Sequence, residues 1–158
     1  MYKKGQLVFE FVIAGIVFFT ILFFSINYLN SNSLTFRENA YQNYLQTKSL
    51  QISEILTNEN SSLSLVDSSG FSQNKIDVFN NTFCKTSDGY KKLLKDLNLY
   101  KDVSSIQIPN NIKILLITED EKILLDCGLN NPKNIQKAEI TRINLYNNKI
   151  AKLNVVVW

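Results

Sequence analysis

Positions 7–26 hold twenty residues and a single ionisable side chain, Glu10. At 1.5 Å per residue, an α-helix of that length spans about 30 Å, the hydrocarbon thickness of a bilayer. The pattern therefore predicts a membrane-crossing helix over the apolar stretch. Polarity rises after Asn30, yet Leu34, Arg37, Tyr41, Tyr44, Leu45, Ile52, Ile55 and Leu56 recur largely at three- and four-residue steps. That spacing predicts an amphipathic helix over 33–58. No proline interrupts 6–58 and its one glycine is Gly15, so the two segments can form one long helix. Asn30-Ser31-Asn32-Ser33 favours caps and turns, which predicts a kink there, or a break.

Beyond Asn58 the turn clusters Asn58-Glu59-Asn60-Ser61-Ser62 and Ser68-Ser69-Gly70 bound two short strands, expected at 63–66 and 75–79. Tyr90, Leu93, Leu94 and Leu97 predict a short amphipathic helix over 90–97. From there β character dominates, with strands expected at 105–108, 113–118, 122–126, 139–146 and 149–158. Glu119-Asp120-Glu121 reads as one hairpin connection. Asn147-Asn148 supplies the positive φ values of a tight two-residue turn in a second. The apolar end Val155-Val156-Val157-Trp158 belongs to a central or covered strand. A long helix laid on an antiparallel sheet, an α+β layer architecture, is the expected fold.

Composition narrows what such a fold can do. If about 25 of the 158 residues enter a membrane, roughly 130 remain, enough for one soluble domain. The net charge of +3 is scattered, with no Arg-rich or aromatic-interleaved patch, so nucleic-acid binding is not expected. Absence of histidine removes the commonest general base, the usual zinc ligand and every Ser-His or Cys-His nucleophile pair. No catalytic residues, metal or cofactor are expected. Glu119, Asp120 and Glu121 sit at a hairpin tip, and Lys91, Lys92 and Lys95 line one side of the short helix; both groups are read as solvated surface.

The amino-terminal segment has a basic start, Lys3-Lys4, before its apolar run. A secretory signal ends in a small-x-small cleavage site, whereas this run continues Ser25-Ile26-Asn27-Tyr28-Leu29-Asn30, so the helix is expected to stay attached. Lys3 and Lys4 predict a cytoplasmic amino terminus and an outward-facing remainder. They leave Glu10 unexplained, because an ionised carboxylate in a bilayer costs a few kcal/mol.

Lys3-Lys4-Gly5, Gln6, Glu10 and the apolar helix resemble the class III signal peptides of archaeal type IV pilin-like proteins. The family pattern Gln-x-Ser-x-Glu-x-x-x-Leu is met at Gln6 and Glu10, with Val8 at the serine and Ala14 at the leucine position. The resemblance covers about the first 25 residues. It implies cleavage between Gly5 and Gln6 by a prepilin-type signal peptidase, leaving a leader of residues 1–5, an assembly helix over 6–29 and an extracytoplasmic head over 30–158. The helix-on-sheet layout is also similar to type IV pilin heads.

Cleavage there frees an α-amino group on Gln6. In a bundle of such helices, Glu10 of one subunit can pair with the new amino group of a neighbour, offsetting both desolvation penalties. Alternatively, Glu10 sits at headgroup depth and reaches water unaided. Phe9, Phe11, Phe18, Phe19, Phe23 and Phe24 give the helix bulk on several sides, and no small-xxx-small pair marks a close two-helix crossing.

Cys84 and Cys127 form no Cys-x-x-Cys motif. The membrane topology puts both outside the cytoplasm, where a disulfide contributes about 4 kcal/mol in the chain-entropy model; two buried thiols are the alternative. Asn60 and Asn80 open formal glycosylation triplets. The expected function is a membrane-anchored structural subunit, minor or major, of a type IV pilus-like surface filament, with the membrane and other pilin-like subunits as partners. An anchored binding domain that does not polymerise is the alternative.

Overall fold

A computed structural model describes residues 3–103, 106–130 and 132–158. The order of elements is α1 (Lys3–Thr57), β1 (Val66–Asp67), β2 (Gly70–Phe71), α2 (Gln73–Phe79), a π-helical turn (Asn80–Cys84), α3 (Ser87–Asp96), β3 (Tyr100–Val103), β4 (Ile106–Pro109), β5 (Ile112–Thr118), β6 (Ile123–Gly128), β7 (Ala138–Tyr146) and β8 (Lys149–Val157). The chain is α+β, with a long apolar amino-terminal helix and an antiparallel sheet. It divides into two compact units, Met1–Tyr41 and Gln42–Trp158.

The first unit is helical from Lys3 onward. Asn30-Ser31-Asn32-Ser33 is helical too, so no break occurs there. Exposed polar side chains lose little in a helix when strong formers and an uninterrupted hydrogen-bond ladder flank them.

In the second unit the sheet order is β6-β5-β8-β7, all antiparallel. β8 is internal, and Val155, Val156, Val157 and Trp158 are all buried. Register places side chains in rows across one face: Cys127, Ile114, Val155 and Ile140, then Leu125, Leu116, Leu153 and Arg142. Strict alternation along β5, with Ile112, Ile114, Leu116 and Thr118 buried, marks that face as the core side. The helical partner of this core is the part of α1 within the unit. There Leu45, Ser49, Ile52 and Leu56 are at most 1% exposed, at steps of four, three and four. The buried serines satisfy their own hydroxyls: Ser49 donates to the Gln46 carbonyl and Ser53 to the Leu50 carbonyl. Three polar contacts tie α1 to the rest of the unit. Gln42 Nε2 donates to the Lys137 carbonyl, Asn110 Nδ2 donates to Tyr44 Oη, and Arg142 Nε donates to Ser53 Oγ at 3.1 Å.

Two short-strand expectations change. Residues 75–79 lie in α2, because Ile76 and Phe79 bury one helical face and Gln73 Nε2 bonds Asp77 Oδ1 one turn on at 2.8 Å. Of 63–66 only Val66 is a strand residue, paired with Phe71. The helix expected at 90–97 begins earlier, at Ser87, because Thr86 caps it by accepting from the Gly89 amide at 3.0 Å. The strand expected at 105–108 is β4, and Ser105 itself lies outside the described residues. Both hairpins are present: Asn147 and Asn148 have φ of 49° and 62°, and Glu121 has φ of 58°. Positive φ at both Asn147 and Asn148 is what a two-residue type I′ turn requires, while Glu121 is the left-handed residue of the longer connection between β5 and β6.

Gly128 ends β6 at φ +101°, and a Cβ there would lie 2.0 Å from the Ile112 carbonyl oxygen. That oxygen accepts the Leu129 amide. Gly128→Ala is expected to lower the unfolding free energy of the full chain in mild detergent by about 2–3 kcal/mol, through the backbone strain and the displaced start of β5. An unchanged urea midpoint would show that this corner yields without loss.

Candidate functional site

The feature that calls for a functional account is the surface of α1 in the first unit. In the window from Val8 that qualifies by length and composition as membrane-spanning, no residue is buried by the rest of the chain. Among the described residues, eighteen large apolar side chains from Val8 to Phe36 are exposed, including Phe11, Phe18, Phe23 and Phe24. At about 2 kcal/mol each, leaving them in water forgoes on the order of 30 kcal/mol. A folded domain's whole stability is about 5–15 kcal/mol, so this surface decides where the protein can reside.

Glu10 lies on that helix and is exposed. The backbone of Lys3, Lys4, Gly5 and Gln6 belongs to α1, while the side chains there lie outside the described residues. The Gly5-Gln6 bond is thus in helical backbone. Gly15 and Thr20 are the small or polar interruptions in the middle of the run, and the Thr20 hydroxyl donates to the Ile16 carbonyl at 2.7 Å, which hides its polarity within the helix.

In the second unit, Cys84 and Cys127 are joined by a disulfide, with Cα atoms 5.0 Å apart. The π-helical turn makes this possible. Its extra backbone residue places Phe83 in the core, 5.1 Å from the Phe79 ring, and presents Cys84 to the inner face of edge strand β6. Tyr90 on α3 adds a second clamp. The Ile112 amide donates to Tyr90 Oη at 3.1 Å, and the Tyr90 hydroxyl returns toward the Ile112 carbonyl at 3.4 Å. Ile112 is where β5 outruns β6, so the phenol replaces a missing strand partner.

The remaining sequence candidates are scattered. Asn60 is exposed in a turn, while Asn80 is half-buried at the start of the π-helical turn. Asp120 at the first hairpin tip pairs with Lys149 at the second; this bond raises the Lys149 pKa, and the two turns are thereby tied together. Asp67 is held below the ordinary carboxylate range, first by the Ser69 hydroxyl and then by the Ser69 amide. Lys91 lies 3.7 Å from Asp88, and Lys92 sits over the Phe83 ring. Among the described residues no group of three His, Cys, Asp or Glu is placed to hold a metal. Sequence reasoning missed Arg142, which looks like a surface residue of an alternating strand but faces Ser53 and lies 3.7 Å from Glu54. Its place on the Ile140 side of the alternation was the available signal.

The sheet's second face carries Ile123, Ile143, Leu145 and Ile150, all exposed, with Ile143 at 65%. Leu145 lies opposite Ile150, and Lys152 sits between Ile117 and Ile143. Compared with known proteins, the chain matches no family model, no curated protein and no solved structure.

Burial raises the Tyr90 pKa above its ordinary value of 10, and the Ile112 bond partly opposes the rise. The folded state therefore holds this proton to higher pH than the unfolded chain does. Its contribution to stability is complete below pH 10 and is lost as pH climbs from there through the folded value. Tyr90→Phe is expected to lower stability by about 1–2 kcal/mol at pH 7 and to flatten the decline above pH 10. Denaturation midpoints across pH 7–11 check both; parallel curves for the two proteins would exclude the assigned titration.

Proposed function

We infer that this chain is a membrane-anchored subunit of a type IV pilus-like surface filament. The observation that carries the reading is the α-helical run from Val8 to Phe36, whose apolar surface the chain leaves exposed and which contains Glu10. An anchor alone accounts for the apolar surface. The acidic side chain within it favours a second role, since a carboxylate in that setting is best stabilised by a cation supplied from a neighbouring helix. Cleavage between Gly5 and Gln6 supplies such a cation as the new α-amino group, delivered by a prepilin-type peptidase on the cytoplasmic side. The second unit is then carried outside the membrane, a compartment in which the Cys84–Cys127 disulfide persists.

A second reading, an anchored binding domain that does not polymerise, draws on the exposed Ile143, Leu145 and Ile150 of the outer sheet face. Its mark is protein found only in membranes, with none in sheared filaments.

Intact mass of the chain isolated from its native host is expected to place the mature terminus at Gln6; any other terminus removes the processing step. Glu10→Ala is expected to insert in the membrane at wild-type levels but to enter filaments at least tenfold less well. Equal incorporation of the two proteins would deny the carboxylate its assembly role.

A further inference from the structure

In the Gln42–Trp158 unit, the last turns of α1 and the end of α3 flank a groove of about 420 Å³. Leu97 is buried and Ile55 half-buried, which gives the groove an apolar floor; Lys48, Gln51, Asp96 and Asn98 supply its polar lining. Among the described residues none of these four side chains makes a hydrogen bond or an ion pair, and Lys48 has only the Tyr44 ring, 6.0 Å away. We propose that this groove is a binding site for a neutral saccharide of about two rings, a size in the range of small-molecule sites. The site lies within one unit and does not depend on whether the chain polymerises.

Asn98 singles this groove out. It ends α3 in a left-handed turn, in which the Leu99 amide donates to the Leu94 carbonyl and the Asn98 amide to the Lys95 carbonyl, with Asn98 at φ 51°. Glycine is the usual residue at that position, because a Cβ is disfavoured there. Asparagine gives up part of that ease and adds a carboxamide to the groove lining. Charge then decides the ligand class. Glu54 also lines the groove but lies 3.7 Å from Arg142, which leaves Lys48 and Asp96, one charge of each sign. A polyanion or polycation therefore meets repulsion along with attraction, and a single remaining carboxylate is too little for a metal. The carboxamides of Gln51 and Asn98 each offer donors and an acceptor, and a hydroxyl likewise does both. Adjacent hydroxyls of a sugar ring can thus serve Lys48, Asp96 and both carboxamides together, while the C–H face of the ring covers Ile55 and Leu97. A zwitterion matches the two charges and leaves the carboxamides unanswered.

The test uses the full chain in phosphatidylcholine vesicles, whose many copies compensate for weak single-site binding. The vesicles are passed over beads bearing cellobiose, maltose, lactose, diacetylchitobiose or sialyllactose. Retention is expected on at least one of the four neutral sugars, with release by the same sugar in solution. Gln51→Ala and Asn98→Gly are each expected to cut that retention at least fivefold. Neither change threatens the fold, since alanine is the better helix former and glycine relieves the left-handed turn, so urea midpoints should stay at or above that of the wild type. Gln46→Ala, which lines a different groove of α1, should be retained like the wild type. Retention on none of the neutral sugars, retention on sialyllactose alone, or retention that both groove substitutions leave unchanged would overturn the proposal. Release by glycylglycine at the same concentration would do so too, by assigning Lys48 and Asp96 to a zwitterion.

Discussion

The exposed apolar surface of α1 is the constraint to which the rest of the structure answers. Leaving it in water is costly, and the helix is the one backbone form that satisfies all its own hydrogen bonds over a single apolar segment. No proline interrupts it, Gly15 is its one glycine after Gln6, and the Thr20 hydroxyl is turned back onto the helix. Each of these features keeps polar groups inside the element. What the surface demands is therefore something outside the chain, and lipid and other helices are the two materials that can supply it.

The Gln42–Trp158 unit meets a different demand with separate means. Its sheet is four strands wide, and a sheet of that size with one helix to cover it has edges to manage. The β6 edge is closed by the disulfide and by Tyr90, both delivered by the segment that runs from α2 through the π-helical turn to α3. At the β7 edge, Arg142 points inward to Ser53, and Gly70 packs so closely on the Leu145 carbonyl that a Cβ would come within 2.3 Å of it. The core is thus guarded by covalent and hydrogen-bonded clamps at its margins, which suits a small domain with modest apolar burial.

Much of this was legible in the sequence where side-chain periodicity and length act together. The alternation in β5, the Asn147-Asn148 turn and the stripe Leu45, Ile52, Leu56 each follow from local pattern. Residues 75–79 were misread because Ile76, Val78 and Phe79 have strand-like composition, while the helical evidence is the pairing of Gln73 with Asp77 and the burial of Phe83 one turn further on. Val78 is exposed, as a helix requires and an apolar strand does not. The π-helical turn had no local signal at all, since it is fixed by Cys84 reaching Cys127, 43 residues away. For Arg142 the alternation gives the face, that of Ile140, but not the partners, because Ser53 and Glu54 lie on α1 and a cross-element polar contact leaves no local pattern.

The same distinction bears on Glu10. Periodicity locates it on a helix but is silent on what would stabilise its charge in a membrane. An isolated carboxylate near one end of a membrane span can be tolerated by moving toward the headgroups, at the expense of a fixed helix depth. A carboxylate paired with a neighbour's cation holds depth and register together, because the pair forms at one axial offset. On the proposed reading, removal of the leader is the step that creates such a cation, so pairing of this kind would be open to a processed helix and closed to its precursor.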